Sequence, residues 1–295
     1  MSFTLAHLSD PHLAPLPEPR WWELLNKRIT GYINWQRRRR FIHVRAVLDK
    51  IVADLKSQNP DHIALTGDIA NIALAAEFAR GGNWLDGLGN AREVSFVPGN
   101  HDAYVRAGLA WSAQAFGAHM TSDDNARGFP YLRRRGPLAL IGLTSAVPTA
   151  WGLATGRLGS AQLAALADLL EAVKRENLLR VILVHHPPVS KAHWHKRLTD
   201  RSALKRVIAA HGADLLLHGH DHLHMINWLD GPDGSRVPAV GVPSASGAPG
   251  IAKNAAAYNL YRIEGAPGAM RCELISRGIG KSGDVVEQNR IMLVE

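Results

Sequence analysis

The sequence predicts an α/β fold, and three observations carry that expectation. Short, nearly continuous apolar runs recur at 3–8, 62–65, 94–97, 138–143, 181–184 and 215–217 and read as strands buried on both faces. Stretches with helical spacing fall between them, at 44–55, 72–85 and 160–176. Each apolar run ends in Asp, Gly or His, where an open sheet presents side chains at the mouth of a cleft.

Taken in order, the first run (Phe3 to Leu8) starts with no basic-then-apolar leader before it. In 160–176, Leu163, Leu166, Leu169, Leu170 and Val173 form one stripe, with Ser160 as the expected N-cap. From Leu223 the rhythm changes. Segments 225–229, 237–242, 258–263 and 270–275 are strand-like and separated by turns such as Asp233-Gly234, which predicts a mainly antiparallel second half. The tail from Ser276 receives no assignment.

One segment breaks the rhythm. Residues 15–45 form an insertion carrying Trp21, Trp22 and Trp35, followed by Arg37, Arg38, Arg39 and Arg40. As one helix it would group Trp21, Leu25, Ile29, Tyr32 and Ile33 on a face, with the arginines elsewhere. It reads as a cap with a solvated charge run, as an element that meets an anionic membrane surface, or as an arginine run that engages nucleic-acid phosphates nonspecifically.

Five clusters of donor residues follow the strand ends: Asp10-Pro11-His12, Gly67-Asp68-Ile69-Ala70-Asn71, Gly99-Asn100-His101-Asp102, His185-His186-Pro187-Pro188 and Gly219-His220-Asp221-His222. Asp10 and His12 alternate along one strand end, as do His220 and His222, so each pair can face one side. Seven oxygen and nitrogen donors exceed one tetrahedral zinc and suit two metals sharing a carboxylate. In type and order these clusters resemble the calcineurin-like metallophosphoesterase superfamily, over roughly residues 3–228. The His185 and His220 clusters look most like its bacterial branch of class III cyclic-nucleotide and glycerophosphodiester phosphodiesterases.

The resemblance implies a single domain over 1–295 and a four-layer αββα sandwich of two mixed sheets, with the metal site at the C-terminal strand edge. It implies one metal held by Asp10, His12, Asp68 and His222, and a second by Asp68, Asn100, His185 and His220. His186 would then be a support. His101 matches the catalytic histidine, which if protonated would stabilise phosphoryl charge or protonate the leaving alkoxide, and Asp102 would fix its tautomer. The implied reaction is hydrolysis of a phosphodiester by direct attack of metal-bound hydroxide. Mn²⁺ is the expected ion, with Fe or Zn²⁺ as alternatives, because the donors include no thiolate. His193, His195 and Arg197, on a loop after the fourth cluster, are candidate substrate contacts. His7, His43, His62, His119 and His211 read as packing or surface residues.

Composition bounds the rest. The net charge of +8 favours anionic partners. No apolar stretch is long enough to span a bilayer. The lone Cys272 forms no internal disulfide, in keeping with a cytoplasmic protein. Together with the insertion this points to a phosphorylated small-molecule or lipid substrate, peripheral contact with the inner membrane face, and no specific nucleic acid. The alternatives are a soluble cyclic-nucleotide phosphodiesterase, a lipid-A-precursor (UDP-diacylglucosamine-type) pyrophosphatase, and a noncatalytic phosphoryl- or nucleic-acid-binding module.

Overall fold

The computed structural model describes residues 2–266 and 269–294. Its strands are β1 (Ser2–Leu8), β2 (His62–Leu65), β3 (Val94–Phe96), β4 (Tyr131–Arg135), β5 (Leu138–Gly142) and β6 (Leu179–Leu183). They continue with β7 (Leu215–His218), β8 (Met225–Asp230), β9 (Arg236–Gly241), β10 (Ala257–Ala266), β11 (Ala269–Ile279) and β12 (Val285–Val294). The main helices are α1 (Arg28–Asn34), α2 (Arg40–Ile42), α3 (Arg45–Ser57), α4 (Ala75–Leu88), α5 (Arg106–Phe116), α6 (Ser160–Lys174) and α7 (Arg201–His211).

Among the described residues the strands form two six-stranded mixed sheets, ordered β12-β11-β10-β1-β2-β3 and β4-β5-β6-β7-β9-β8. Alternation along β6 shows the layering. Val181 and Leu183 join the core between the sheets, with Leu65, Phe96, Leu217 and Tyr261. Ile182 faces the other way, onto Leu166 and Leu170 of α6 and Leu204 and Ile208 of α7. Helices α3 and α4 cover the first sheet with Leu48, Ile51, Leu55, Phe78 and Leu85. The result is the expected αββα sandwich.

Parallel register sets the position of the site. Leu8 pairs with Leu65, and Leu65 with Phe96. Asp10, Asp68 and Asn100 therefore all lie two to four residues past paired positions on one sheet edge. In the second sheet Leu183 pairs with Leu217, so His185 and His220 emerge together. Backbone bonds continue past the strands, from Asp10 N to Gly67 O at 3.0 Å and from Gly219 N to His185 O at 3.1 Å.

Several local expectations are corrected. Gly159, at φ 83°, and not Ser160, precedes α6, with no side-chain cap. The second half does not stay in one antiparallel unit. β8 and β9 complete the second sheet, where β9 runs parallel to β7, while β10 returns antiparallel to β1 and β11 and β12 extend that edge, each antiparallel to the strand before it. The unassigned tail is the end of β11 and the edge strand β12, whose largely exposed side chains leave no apolar alternation to read. The insertion is not one helix. A 3-10 turn (Trp21–Leu24), α1, a π-helical turn (Trp35–Arg39) and α2 follow one another.

Candidate metal centre

The loops after the strands carry unusual backbone. Asp10, His12, Asp68, His220 and His222 all have positive φ, from 38° to 68°. Left-handed geometry is unfavourable for such residues, and its concentration here marks a site the surrounding fold over-determines. Close packing enforces it. A side chain at Gly99 would strike the Asp68 carboxylate, and one at Gly67 (φ 97°) would strike the His185 ring.

Around Asp68 the donors fall into two groups. In the first, Asp10 Oδ1 lies 3.1 Å from His222 Nε2 and 3.9 Å from His12 Nε2, which is 3.8 Å from Asp68 Oδ2. In the second, His185 Nε2 lies 3.4 Å from Asp68 Oδ2 and 3.1 Å from Asn100 Oδ1. His220 Nδ1 lies 2.9 Å from Asn100 Oδ1 and 3.3 Å from His185 Nε2. Asp68 Oδ2 stands between the groups, while Oδ1 accepts the His101 amide at 2.7 Å. The seven residues that the resemblance implies as ligands thus lie together around Asp68.

The outer hydrogen bonds fix which ring nitrogens face inward. His12 Nδ1 pairs with the Ala70 carbonyl at 3.2 Å, His185 Nδ1 with that of Thr66 at 2.7 Å, and His220 Nε2 with that of Lys196 at 2.7 Å. Each bond leaves the opposite nitrogen for a ligand. His12 Nε2, fully buried, has no protein partner among the described residues, as a metal ligand requires. His186, beside His185, bonds at both nitrogens, with Ser145 Oγ at 2.8 Å and the Ala154 carbonyl at 3.2 Å, and it also groups with His185 and His220 as a set able to hold a metal. Burial would raise the Asp10 carboxyl, but His222 and then His185 and Ser9 hold it well below the usual range. For Asp68 burial is likewise opposed, by His185 and His101, and the net effect is lowering. Both carboxylates are charged at neutral pH, as cation ligands must be.

Three sequence expectations change. Asp102 does not touch His101. Its buried carboxylate accepts the amides of Asp68 at 2.8 Å, Ala70 at 2.9 Å and Gly99 at 2.9 Å, tying two ligand loops together. The Asn71 carbonyl pairs with His101 Nδ1 instead. Burial, then the charge of Arg39, pushes the His101 imidazole down to about 3, against the protonated state that a general acid needs. On the 193–197 loop, His193 and His195 stack on each other at 5.7 Å, and Arg197 Nε folds back onto the Ala192 carbonyl at 2.5 Å. Of residues 192–197, Ala192 and Lys196 line the cleft, and His193, His195 and Arg197 do not.

Two residues escaped the sequence reading. His43 is buried 4.3 Å ring-to-ring from His12, with Nδ1 3.0 Å from Ser246 Oγ, and groups with His12 and His222 as a set able to hold a metal. Arg39 places Nη1 3.1 Å from His101 Nε2. Nothing local distinguishes His43, which a fold contact brings in. Arg39 was hidden in a charge run.

These side chains floor a cleft of about 480 Å³ whose walls include Arg38, Lys196 and Lys253. A second cavity of about 510 Å³, lined by His224, Asn259 and Gln288, has none of the clustered donors. The chemistry therefore assigns the site to the cleft.

A family model for calcineurin-like phosphoesterases matches residues 3–224, and the chain belongs to that family. No curated protein matches its sequence significantly. Among solved structures it is similar to a dimetal phosphatase from Danio rerio, at 15% identity and a TM-score of 0.61, over 99% of this chain and 98% of that one. It is also similar to the purple acid phosphatase PPD1 of yellow lupin, Lupinus luteus, at 14% identity and a TM-score of 0.61, over 99% of this chain and 54% of that one. At these identities the likeness is one of fold.

Proposed function

We propose that the chain is a binuclear-metal phosphohydrolase, a phosphodiesterase whose substrate is a phospholipid-type diester at a membrane surface. The observation that carries the hydrolase reading is Asp68 Oδ2, set between two donor groups that each gather oxygen and imidazole ligands. Two divalent ions, Mn²⁺ foremost, supply Lewis-acid polarisation of phosphoryl oxygens and a water nucleophile of lowered pKa when bound. Asp10, His12, Asp68 and His222 would hold one, and Asp68, Asn100, His185 and His220 the other. The chain itself keeps the two carboxylates ionised, turns the imidazole nitrogens inward and holds His101 in the cleft between Asn71 and Arg39.

The lipid reading rests on the rim. Exposed Trp21 (70%), Trp22 and Leu25 (73%) lie on the insertion, and Trp151 (59%), Trp194 (72%) and Ile251 on neighbouring loops. Lys27 Nζ joins the insertion to the Trp151 loop through Thr149 Oγ1 at 2.7 Å and the Leu153 carbonyl at 3.1 Å. The Ala154 amide joins that loop to the Trp194 turn at His195 O, 2.9 Å. Basic Arg38, Lys196 and Lys253 line the cleft between them. Apolar aromatics beside cations suit the headgroup region of an anionic bilayer.

The test is a substrate panel after Mn²⁺ reconstitution: bis(p-nitrophenyl) phosphate, a cyclic nucleotide, a glycerophosphodiester, phosphatidylcholine and a nucleotide-diphospho-lipid. Two metals per chain and turnover of a lipid diester are expected. Asp68→Ala should lose metal and activity together, since it serves both ions. One metal per chain, or full activity in Asp68→Ala, overturns the hydrolase reading. Preference for the cyclic nucleotide overturns the lipid reading alone.

A further inference from the structure

The arginine run is divided by its own helix. Trp35 is buried at the head of the π-helical turn, while Arg37 and Arg40 face outward and Arg38 is exposed at the cleft wall. A π-helical turn takes up an extra residue, and such bulges are frequent at functional sites. Here Arg39 is turned inward, over the metal-ligand floor. Its Nη1 meets His101 Nε2 at 3.1 Å. Its Nε and Nη2 are buried and have no protein partner among the described residues. That pair is the side-on edge of a guanidinium, the edge that takes two oxygens of one carboxylate or phosphate.

A buried edge of this kind is costly unless something accepts from it. The nearby carboxylates do not. Asp68 and Asp10 are turned to the imidazoles and to the amides of His101 and His220. With two divalent ions against only two carboxylate ligands, the floor would carry excess positive charge, and Arg39 adds to it. A guanidinium is stable beside such a centre when an anion with several acceptor oxygens lies between.

We propose that Arg39 is a substrate-binding residue of this site, whose Nε–Nη2 edge takes two non-bridging oxygens of the phosphoryl group held over the ligand floor. This rests on the hydrolase reading above and adds to it a residue supplied by the insertion. The segment that presents Trp21 and Arg37 outward thus also reaches the phosphoryl group from within.

The measurement is calorimetric titration of inorganic phosphate onto Mn²⁺-loaded protein, with metal content determined in each sample. Arg39→Gln should keep its metals and bind phosphate roughly 10- to 100-fold more weakly, the range for a hydrogen bond to a charged group. The KM for bis(p-nitrophenyl) phosphate should rise in parallel. Arg39→Lys should recover only part of the loss, because an ammonium group does not span two oxygens. Free guanidinium should partly restore phosphate binding to Arg39→Ala. Phosphate affinity in Arg39→Gln within about twofold of the unmutated protein, at full metal content, overturns the inference. Should Arg39→Gln lose metal, Arg39→Lys decides, and full affinity there overturns it as well. Unmutated protein that holds no metal defeats the hydrolase reading itself, a different outcome from normal turnover with an indifferent Arg39.

Discussion

His101 is bonded on both sides, to the Asn71 carbonyl at Nδ1 and to Arg39 at Nε2. A carbonyl accepts only, so the ring proton sits on Nδ1, and Nε2 is the lone pair that accepts from the guanidinium. The ring is neutral, and its protonation is opposed first by burial and then by Arg39. The one ring proton is engaged by the Asn71 carbonyl, and the opposite nitrogen holds one arm of the Arg39 fork. His101→Gln should therefore slow p-nitrophenyl and alkyl diesters by a similar factor, of order 10- to 100-fold. The comparison is kcat/KM on bis(p-nitrophenyl) phosphate against a glycerophosphodiester. A loss ten times larger for the alkyl ester would restore the general-acid role.

At the scale of elements, the expected insertion at 15–45 is held to the fold by specific contacts: by Arg28, which donates to the carbonyls of Ile72 at 3.1 Å and Ala73 at 2.6 Å, and by Lys27 over the Tyr104 ring at 4.6 Å. Its apolar residues then divide. Trp35 is buried, whereas Trp21, Trp22, Leu25, Ile29 and Ile33 stay exposed, so Trp35 belongs with the fold and not with an interfacial set. Replacing Trp21 and Trp22 by Ser should cut co-sedimentation with phosphatidylglycerol vesicles at every salt concentration. Arg37→Gln with Arg40→Gln should do so only at low salt, where charge attraction is unscreened. None of the four lines the cleft, so turnover of bis(p-nitrophenyl) phosphate should stay unchanged. Unmutated protein that ignores anionic vesicles at low salt would make the segment a cap only.

Across the whole molecule, stability should depend on pH through histidines far from the cleft. His62, on β2, is buried against Ser95 Oγ at 2.8 Å, and burial, with Arg135 and Arg133 nearby, pushes it down to about 3. Its folded pKa lies below its unfolded value of 6.5, so the unfolded chain binds the extra proton first. The contribution is complete above about 6.5 and declines as pH falls towards 3, at up to about 1.4 kcal/mol per pH unit. His62→Gln should flatten that slope in urea unfolding measured at stepped pH. Identical slopes for variant and unmutated protein would show that His62 is not the group responsible.

By itself the sequence determined the rhythm of strands and helices, the seven donors and their order along the chain. Those features are local. Apolar runs mark buried strands, and donors that close such runs must lie at strand ends, whatever the rest of the chain does. Parallel pairing then brings Asp10 beside Asp68 and His185 beside His220, so the convergence of these residues on one edge was legible before any contact was known. What only the tertiary structure decided depends on partners far away in sequence. His43 reaches His12 because Ser246 and the Ala248 amide dock the end of the insertion. Asp102 turns from His101 because three loop amides outcompete one ring. Helices with thin stripes, such as α7 with only Leu204 and Ile208 buried, left too little periodicity to read. Arg39, one of four identical neighbours, was separated from the others only when Trp35 packed inward and the π-helical turn set its direction. A run of like charges carries no phase of its own; packing supplies it.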